Sequence, residues 1–234
     1  MARSEHDRRI AEMFDRVAPR YDRLNRILSG RRDVGWRCRA IAQARLGPHE
    51  VALDVGVGTG DLAFGVLDAS DLSARVIGID LSPMMLDAAL RRARARGEDR
   101  FLPLLATAEH LPFADGAFDR VVAGFAVRNF GDLSFGLREL RRVLRAGGRA
   151  VILEFSTPPS PVIHVAYRLY LDHAVPLIAS LFGGDAAAYR YLPRSVAAFP
   201  DADGLAERMR VAGFARVRYE RLTFGVAAIH VGEA

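Results

Sequence analysis

The chain has 234 residues, half of them hydrophobic, enough for one domain with a sizeable core. Its 33 basic residues are all arginine and leave a formal charge of +5. A residue type missing from the whole length reads as coding bias, so the charge is taken as a solvated arginine surface with a weak pull toward anionic membranes, and nucleic-acid binding is not expected. The single cysteine, Cys38, excludes a disulfide framework and a cysteine-based zinc site; no metal is expected, and a reducing, cytoplasmic setting is.

The first residues, MARSEHDRRIAEMFDR, are charged and have no apolar centre, so they do not read as a secretory signal. Residues 5–18 place Ile10, Met13, Phe14 and Val17 on one side of an amphipathic helix. A polar, turn-prone stretch follows over 18–36. From residue 50 strands are predicted at 51–55, 75–80, 101–106, 119–124 and 150–155, with helices at 61–67, 83–96 and 133–144 between them. Ser82-Pro83 is a helix-start signal, and Gly147-Gly148 is expected to stop the helix before the fifth strand. Such alternation predicts an α/β fold with a doubly wound, mostly parallel sheet. After residue 155 the Ser-Pro-rich stretch 156–161 breaks the rhythm. An apolar helix over 161–182 follows, whose His164, Arg168, Asp172, His173 and Pro176 exclude a membrane span. A Gly183-Gly184 turn and a helix over 201–212 lead to strands at 216–222 and 225–231. Little more than Thr223-Phe224 separates these two, so they should form an antiparallel hairpin and complete seven strands. No linker divides the chain: 1–234 reads as one domain, with an N-terminal helical segment over 1–48 and a helical cover over 156–200.

The stretch VALDVGVGTGDL, residues 51–62, is the most informative. A buried strand runs into Gly56, Gly58 and Gly60, a turn that lets backbone N–H groups approach a ligand. Asp54 and Asp61 bracket it. Carboxylates there would repel a dinucleotide's pyrophosphate, and the spacing is not G-x-G-x-x-G. They suit a nucleoside that carries positive charge, such as S-adenosylmethionine with its amino group and sulfonium. Asp80 closes the second strand, twenty positions after Gly60 and beside Leu81, where an acid reaches a ribose diol. Thr107 and Ala108, after the third strand, leave room for a flat ring. Arg128 and Asn129 follow the fourth strand inside an apolar run. The alternative for Arg128 is a structural ion pair with Asp132.

These residues, with further motifs, match a family. The chain resembles the ubiquinone/menaquinone biosynthesis C-methyltransferases, S-adenosylmethionine-dependent enzymes with the Rossmann-like class I methyltransferase fold. The resemblance is nearly full length. It rests on residues 13–25 (MFDRVAPRYDRLN), 53–62 (LDVGVGTGDL), 80–86 (DLSPMML), 127–132 (VRNFGD), 142–149 (RVLRAGGR) and 153–156 (LEFS), and later on 189–196 (YRYLPRSV), 212–214 (AGF) and 222–230 (LTFGVAAIH). By position it implies cofactor contacts at Thr59, Asp80, Thr107, Ala108 and Gly124. At Gly124 many members have serine, so that side-chain contact is missing. Trp36-Arg37 stands where the family has Trp-Lys.

The resemblance implies carbon methylation of a prenylated quinol. The helix over 161–182, with Val162, Val165, Leu169, Val175, Leu177, Ile178 and Leu181, offers an apolar wall for the prenyl tail that would bring the chain to the inner face of a membrane; the alternative is a helix packed on the sheet or on a second copy of the chain. Arg128, a guanidinium too basic to take a proton, is expected to stabilise the developing phenolate. Tyr21 is expected to hydrogen-bond the quinol, with Asn129 beside it and Asp22 or Asp80 orienting Arg128. His173 is a conceivable base by type. Tyr189, Arg190 and Tyr191 line the substrate mouth or belong to the core. The rival readings are a methyltransferase for another lipid-like substrate, a nicotinamide oxidoreductase, and a partner protein that keeps the fold without turnover.

Overall fold

A computed structural model describes residues 4–182 and 185–234, so the Gly183-Gly184 turn lies outside the described residues. Its strands are β1 (Val51–Val55), β2 (Arg75–Asp80), β3 (Phe101–Leu105), β4 (Phe118–Gly124), β5 (Leu144–Phe155), β6 (Arg216–Leu222) and β7 (Ala227–Glu233). They form one sheet in the order β3-β2-β1-β4-β5-β7-β6. The first five are parallel, and β7 runs antiparallel between β5 and β6. The order turns back between β1 and β4, so the carboxyl ends of those two strands open the crevice where ligands of doubly wound sheets bind.

Helices cover both faces, which is why the central strands are apolar runs rather than alternations. The helices are α1 (Glu5–Val17), α2 (Tyr21–Leu28), α3 (Arg32–Gln43), α4 (Asp61–Ala69), α5 (Pro83–Arg96), α6 (Leu133–Arg142), α7 (Pro161–Leu169), α8 (Val175–Leu181), α9 (Ala186–Ala198) and α10 (Ala202–Val211). One core packs Ala40 of α3, Phe64 and Leu67 of α4 and Ala89 of α5 on Val76, Phe101, Val122 and Leu153. The other packs Leu137 and Leu140 of α6 and Leu205 and Met209 of α10 on Leu53, Val121 and Ile152. Ser4 caps α1 in a reciprocal box with Asp7, and Ser82 caps α5 by accepting from the Met85 N–H at 3.0 Å.

Four sequence expectations need correction. The stretch 18–36 is helical, not a turn: α2 and the start of α3 occupy it, broken where Gly30 and Arg31 take positive φ of 57° and 62°. Ala18, Leu24, Asp33 and Trp36 are the buried positions there, and the arginines between them hide the helical spacing. The helix over 161–182 is two helices joined by a π turn, Tyr170–Ala174, which buries Leu171. The third is that Gly147-Gly148 stops no helix. The helix ends at Arg142 and β5 begins at Leu144, with Gly147 at φ 74° inside the strand. Finally, β7 starts two residues late, because Gly225 belongs to the 3-10 turn Thr223–Gly225.

Candidate active site

The glycine turn after β1 hangs on β2: the Gly56 and Val57 N–H groups both donate to the Ile79 carbonyl at 2.9 Å. Gly56 has φ 71°, and a Cβ there would lie 2.4 Å from the Ala126 Cβ, so only glycine lets the strand-end loops of β1 and β4 close on each other. Asp80 accepts from the Gly58 and Ser82 N–H groups, each at 2.9 Å, and burial still raises its carboxyl above the ordinary range. Asp54 is fully buried, and among the described residues no well-formed hydrogen bond reaches either of its oxygens. Burial, only partly offset by the Ala63 N–H, pushes its carboxyl up to about 7. Such a group is poised for a cationic partner.

Beyond the turn, Asp61 opens α4 and gathers three arginines from three helices. Arg26 of α2 lies at 3.3 Å, Arg37 of α3 at 3.4 Å and Arg92 of α5 at 2.6 Å. Burial would raise this carboxyl, but the arginines, Arg37 foremost, hold it below its ordinary value. The Thr59 hydroxyl donates to Asp22 of α2 at 2.7 Å, so the N-terminal helices are fastened directly to the glycine turn. Asp15 of α1 accepts from the Ser82 hydroxyl at 2.5 Å, and His6 contacts the Asn129 carbonyl at 2.9 Å. The crevice beneath holds about 70 Å³, with Ile79, Leu81, Met85, Ala106, Ala108 and Phe130 as an apolar slot.

A second, larger cleft of about 520 Å³ adjoins it, walled by Trp36, Phe155, Tyr167, Tyr170, Leu171 and Tyr189 among others. Phe14, Tyr21 and Phe125 line both, and Tyr21 also faces the space beside Asp54. Arg128 stands in the cleft wall, pairing with Glu154 of β5 at 2.9 Å and donating to the Phe125 carbonyl at 2.5 Å. Burial would lower its pKa, but Glu154 outweighs that and the guanidinium stays charged. Its Nε has no hydrogen-bond partner among the described residues, nor does the Tyr167 hydroxyl. Asn129 is buried one residue on, its side-chain oxygen accepting from the Tyr191 hydroxyl at 3.0 Å.

The structure brings Asp54, Gly56, Gly58, Thr59, Asp80, Leu81, Ala108, Gly124, Asn129, Arg128 and Tyr21 to the two spaces or their rim. Gly60 serves packing: a Cβ there would meet the Phe64 ring at 2.3 Å. Thr107 donates to Glu109 at 2.6 Å and does not line the crevice. Asp132 does not pair with Arg128 but caps α6, accepting from the Phe135 N–H at 2.9 Å. Neither Asp22 nor Asp80 orients Arg128, since Glu154 does. His173 is exposed on the π turn and outside the cleft, and Arg190 is exposed while Tyr189 and Tyr191 face in. The sequence reading missed Glu154 and gave Arg37 no role. The signal for Glu154 was a lone acid in the apolar run Val151-Ile152-Leu153-Glu154-Phe155.

Residues 2–234 match the ubiE/COQ5 methyltransferase family. A demethylmenaquinone methyltransferase of Thermus thermophilus is 50% identical over 222 residues, 94% of this chain and 99% of that one. The chain belongs to the ubiE/COQ5 methyltransferase family. Other members include a Deinococcus radiodurans demethylmenaquinone methyltransferase, 45% identical over 96% of this chain and 92% of its own, and a Geotalea daltonii ubiquinone/menaquinone biosynthesis C-methyltransferase, 40% identical over 98% of each. Solved structures share the fold at lower identity. The [4+2]-cyclase SpnF superposes with a TM-score of 0.72 at 19% identity, over 97% of this chain and 96% of that one. This family member is therefore an S-adenosylmethionine-dependent methyltransferase with the Rossmann-like fold. Its residues fit that cofactor: a buried carboxyl with no hydrogen-bond partner among the described residues, which suits an amino group, and a glycine turn with open space over Gly58.

Proposed function

We propose that this methyltransferase transfers a methyl group to a ring carbon of a prenylated naphthoquinol, turning a demethylmenaquinol into a menaquinol. The observation that carries this reading is the junction of the two spaces. Phe14, Tyr21 and Phe125 form one shared wall, with the buried carboxyl of Asp54 on one side and the buried cation Arg128 on the other. The names of the Thermus and Deinococcus relatives support the naphthoquinol over other ring systems.

When bound, S-adenosylmethionine supplies an electrophilic methyl group on a cationic sulfur. Asp54 holds the cofactor's amino end, ionising as it does so. Asp80, already fixed by two backbone donors, takes the ribose hydroxyls, with Leu81 beside it. Ala108 leaves space for the base, and Gly56, Gly58 and Gly124 keep side chains out of the way. Thr59 fixes the turn through Asp22.

On the substrate side, a quinol carbon becomes a strong nucleophile once the neighbouring hydroxyl passes its proton to water. After the methyl group has moved to that carbon, the carbon's own proton leaves to water and the ring regains its aromaticity. Arg128 favours loss of the hydroxyl proton by presenting a permanent positive charge in a water-poor wall, its unpartnered Nε facing no competing protein acceptor. Tyr21 holds the ring at the junction and stays protonated, burial raising its pKa against the pull of Arg128 and Arg37. Asn129 keeps Tyr191 turned toward the ring. Positioning in this closed space is worth up to ~7–11 kcal/mol of barrier in well-oriented cases.

The test is transfer of label from S-adenosylmethionine to chemically reduced demethylmenaquinol by the purified protein, beside the corresponding benzoquinol. The expected result is menaquinol as the main labelled product. Tight cofactor binding with no label in either quinol would overturn the proposal, and preference for the benzoquinol would overturn its naphthoquinol part.

A further inference from the structure

The amino acid end of the methyl donor carries two charges, an ammonium and a carboxylate, and Asp54 answers only the first. Around Asp54 the crevice extends into a space of about 20 Å³, which shares Tyr21, Gly56, Gly58 and Gly124 with it. Two acids, Asp54 and Asp61, line that extension, so a carboxylate entering it would be repelled unless a cation stood there too. The glycine turn offers few donors in its place. Its Gly56 and Val57 N–H groups are taken by the Ile79 carbonyl, that of Gly58 by Asp80 and that of Gly60 by the Val57 carbonyl.

Among the described residues one cation lines these two spaces. Arg37 of α3 faces the extension, and no basic residue lines the crevice itself. Its guanidinium lies over the Phe125 ring, 5.0 Å from the centroid, and its Nη1 is 3.7 Å from where a Cβ on Gly124 would stand. Both contacts put the charge at the carboxyl end of β4, the strand that pairs with β1 and its Asp54. The carboxylates near Arg37 are committed elsewhere. Asp61 stands 3.4 Å from its Nε but accepts from Arg92 at 2.6 Å and from Arg26 at 3.3 Å. Asp33 is 3.8 Å away and accepts from the Ser29 hydroxyl at 2.6 Å. The Arg37 side chain is only 12% exposed, and its Nε has no hydrogen-bond partner among the described residues. A buried guanidinium left short of acceptors favours an anion.

We infer that Arg37 binds the carboxylate of S-adenosylmethionine, while Asp54 holds the ammonium group of the same end. This rests on the amino end lying at Asp54, and it makes an intact amino acid end, rather than the nucleoside alone, what the crevice selects. A guanidinium suits the task because its fork can serve both carboxylate oxygens. Since Arg37 belongs to α3, the carboxylate also ties the N-terminal cover to the strand ends.

Calorimetric titration without quinol decides the matter, using S-adenosylmethionine and its decarboxylated form, which keeps the sulfonium and the ammonium. The parent should bind the intact cofactor about tenfold to hundredfold more tightly, the range for hydrogen bonds to a charged group. Arg37→Met should lose that preference and bind the decarboxylated form as the parent does, which also reports that the variant is folded. Arg37→Gln, able to keep a donor toward Asp61, gives the same comparison should methionine unfold the N-terminal cover. Equal affinity of the parent for the two ligands, or an undiminished preference in both variants, would overturn the inference. So would equal weakening of the two ligands by both variants, the mark of an arginine that only holds helices together. Asp54→Asn should weaken both ligands alike. If it weakens neither, the amino end lies elsewhere and the reading of Asp54 fails, while the preference set by Arg37 is still measured by its own ratio.

Discussion

Arg128→Met tests two roles of one residue at once. Arg128 and Glu154 meet at 2.9 Å with side chains only 7% and 1% exposed. Methionine keeps much of the aliphatic stem but strands the Glu154 carboxylate, leaving it the backbone N–H groups of residue 128 at 3.3 Å and of Phe155 at 2.8 Å. Breaking a buried pair from one side costs ~3–5 kcal/mol. In a chain of this length each kcal/mol moves Tm by ~2–4 °C, so a fall of about 6–20 °C is expected. Arg128→Met/Glu154→Gln removes the stranded charge and should recover most of that loss. Turnover should not recover, because losing a preorganised charge beside the forming quinolate costs ~10²–10³ in kcat. Thermal unfolding of both variants, cofactor titration below their Tm, and single-substrate kinetics give the comparison. The reasoning fails if the single variant is as stable as the parent, or if the double variant turns over near the parent's rate.

Gly56→Ala and Gly58→Ala should separate crowding from backbone strain. Both glycines have positive φ, but a Cβ at Gly58 meets nothing within 4 Å whereas one at Gly56 lies 2.4 Å from Ala126. Urea titration should show ~1–2 kcal/mol lost at Gly58 from the left-handed backbone, and a further ~1–3 kcal/mol at Gly56 from overpacking; equal losses would refute the crowding argument. Cofactor binding should release a proton. Asp54 titrates at about 7 when unpartnered, and beside an ammonium it ionises, so affinity should fall by about tenfold per pH unit below that value. Calorimetry in buffers of different ionisation enthalpy measures this, and Asp54→Asn should abolish it. Burial lowers His230 from 6.5 to about 4, its Nε2 lying 2.8 Å from the Ala202 carbonyl. The unfolded chain therefore binds this proton first, so the stabilising contribution is whole above 6.5 and is lost as pH falls toward 4. His230→Gln should flatten that part of the acid limb of a Tm-against-pH curve, with Asp54, raised rather than lowered, pulling the opposite way in both proteins.

The sheet and its crevice were legible because they follow from local rules. Buried parallel strands carry short apolar runs, Val51-Ala52-Leu53 in β1 and Val121-Val122-Ala123 in β4, and glycine, proline and serine punctuate the chain between strands. Asp54 and Asp80 stood out as acids at strand ends. What escaped depended on distance in the chain. Glu154 lies 26 residues from Arg128, and only the parallel pairing of β4 with β5 brings Gly124 beside Leu153 and so joins the two. The helices α2 and α3 bury a narrow apolar stripe, Leu24 on one and Trp36 with Ala40 on the other. A stripe of one or two residues per helix gives little periodic signal amid arginines. Gly60 shows the converse: its place in the motif suggested ligand contact, yet its demand comes from the Phe64 ring.

The cluster at Asp61 also bears on how the molecule breathes. One carboxylate holds three helices: α2 and α3 of the N-terminal cover, and α5 on the sheet. All three partners are guanidinium groups, which no physiological pH discharges. The first turn of α4 and the two covering helices therefore share one opening event, and their amide hydrogens should exchange as a single cooperative unit instead of fraying one helix at a time.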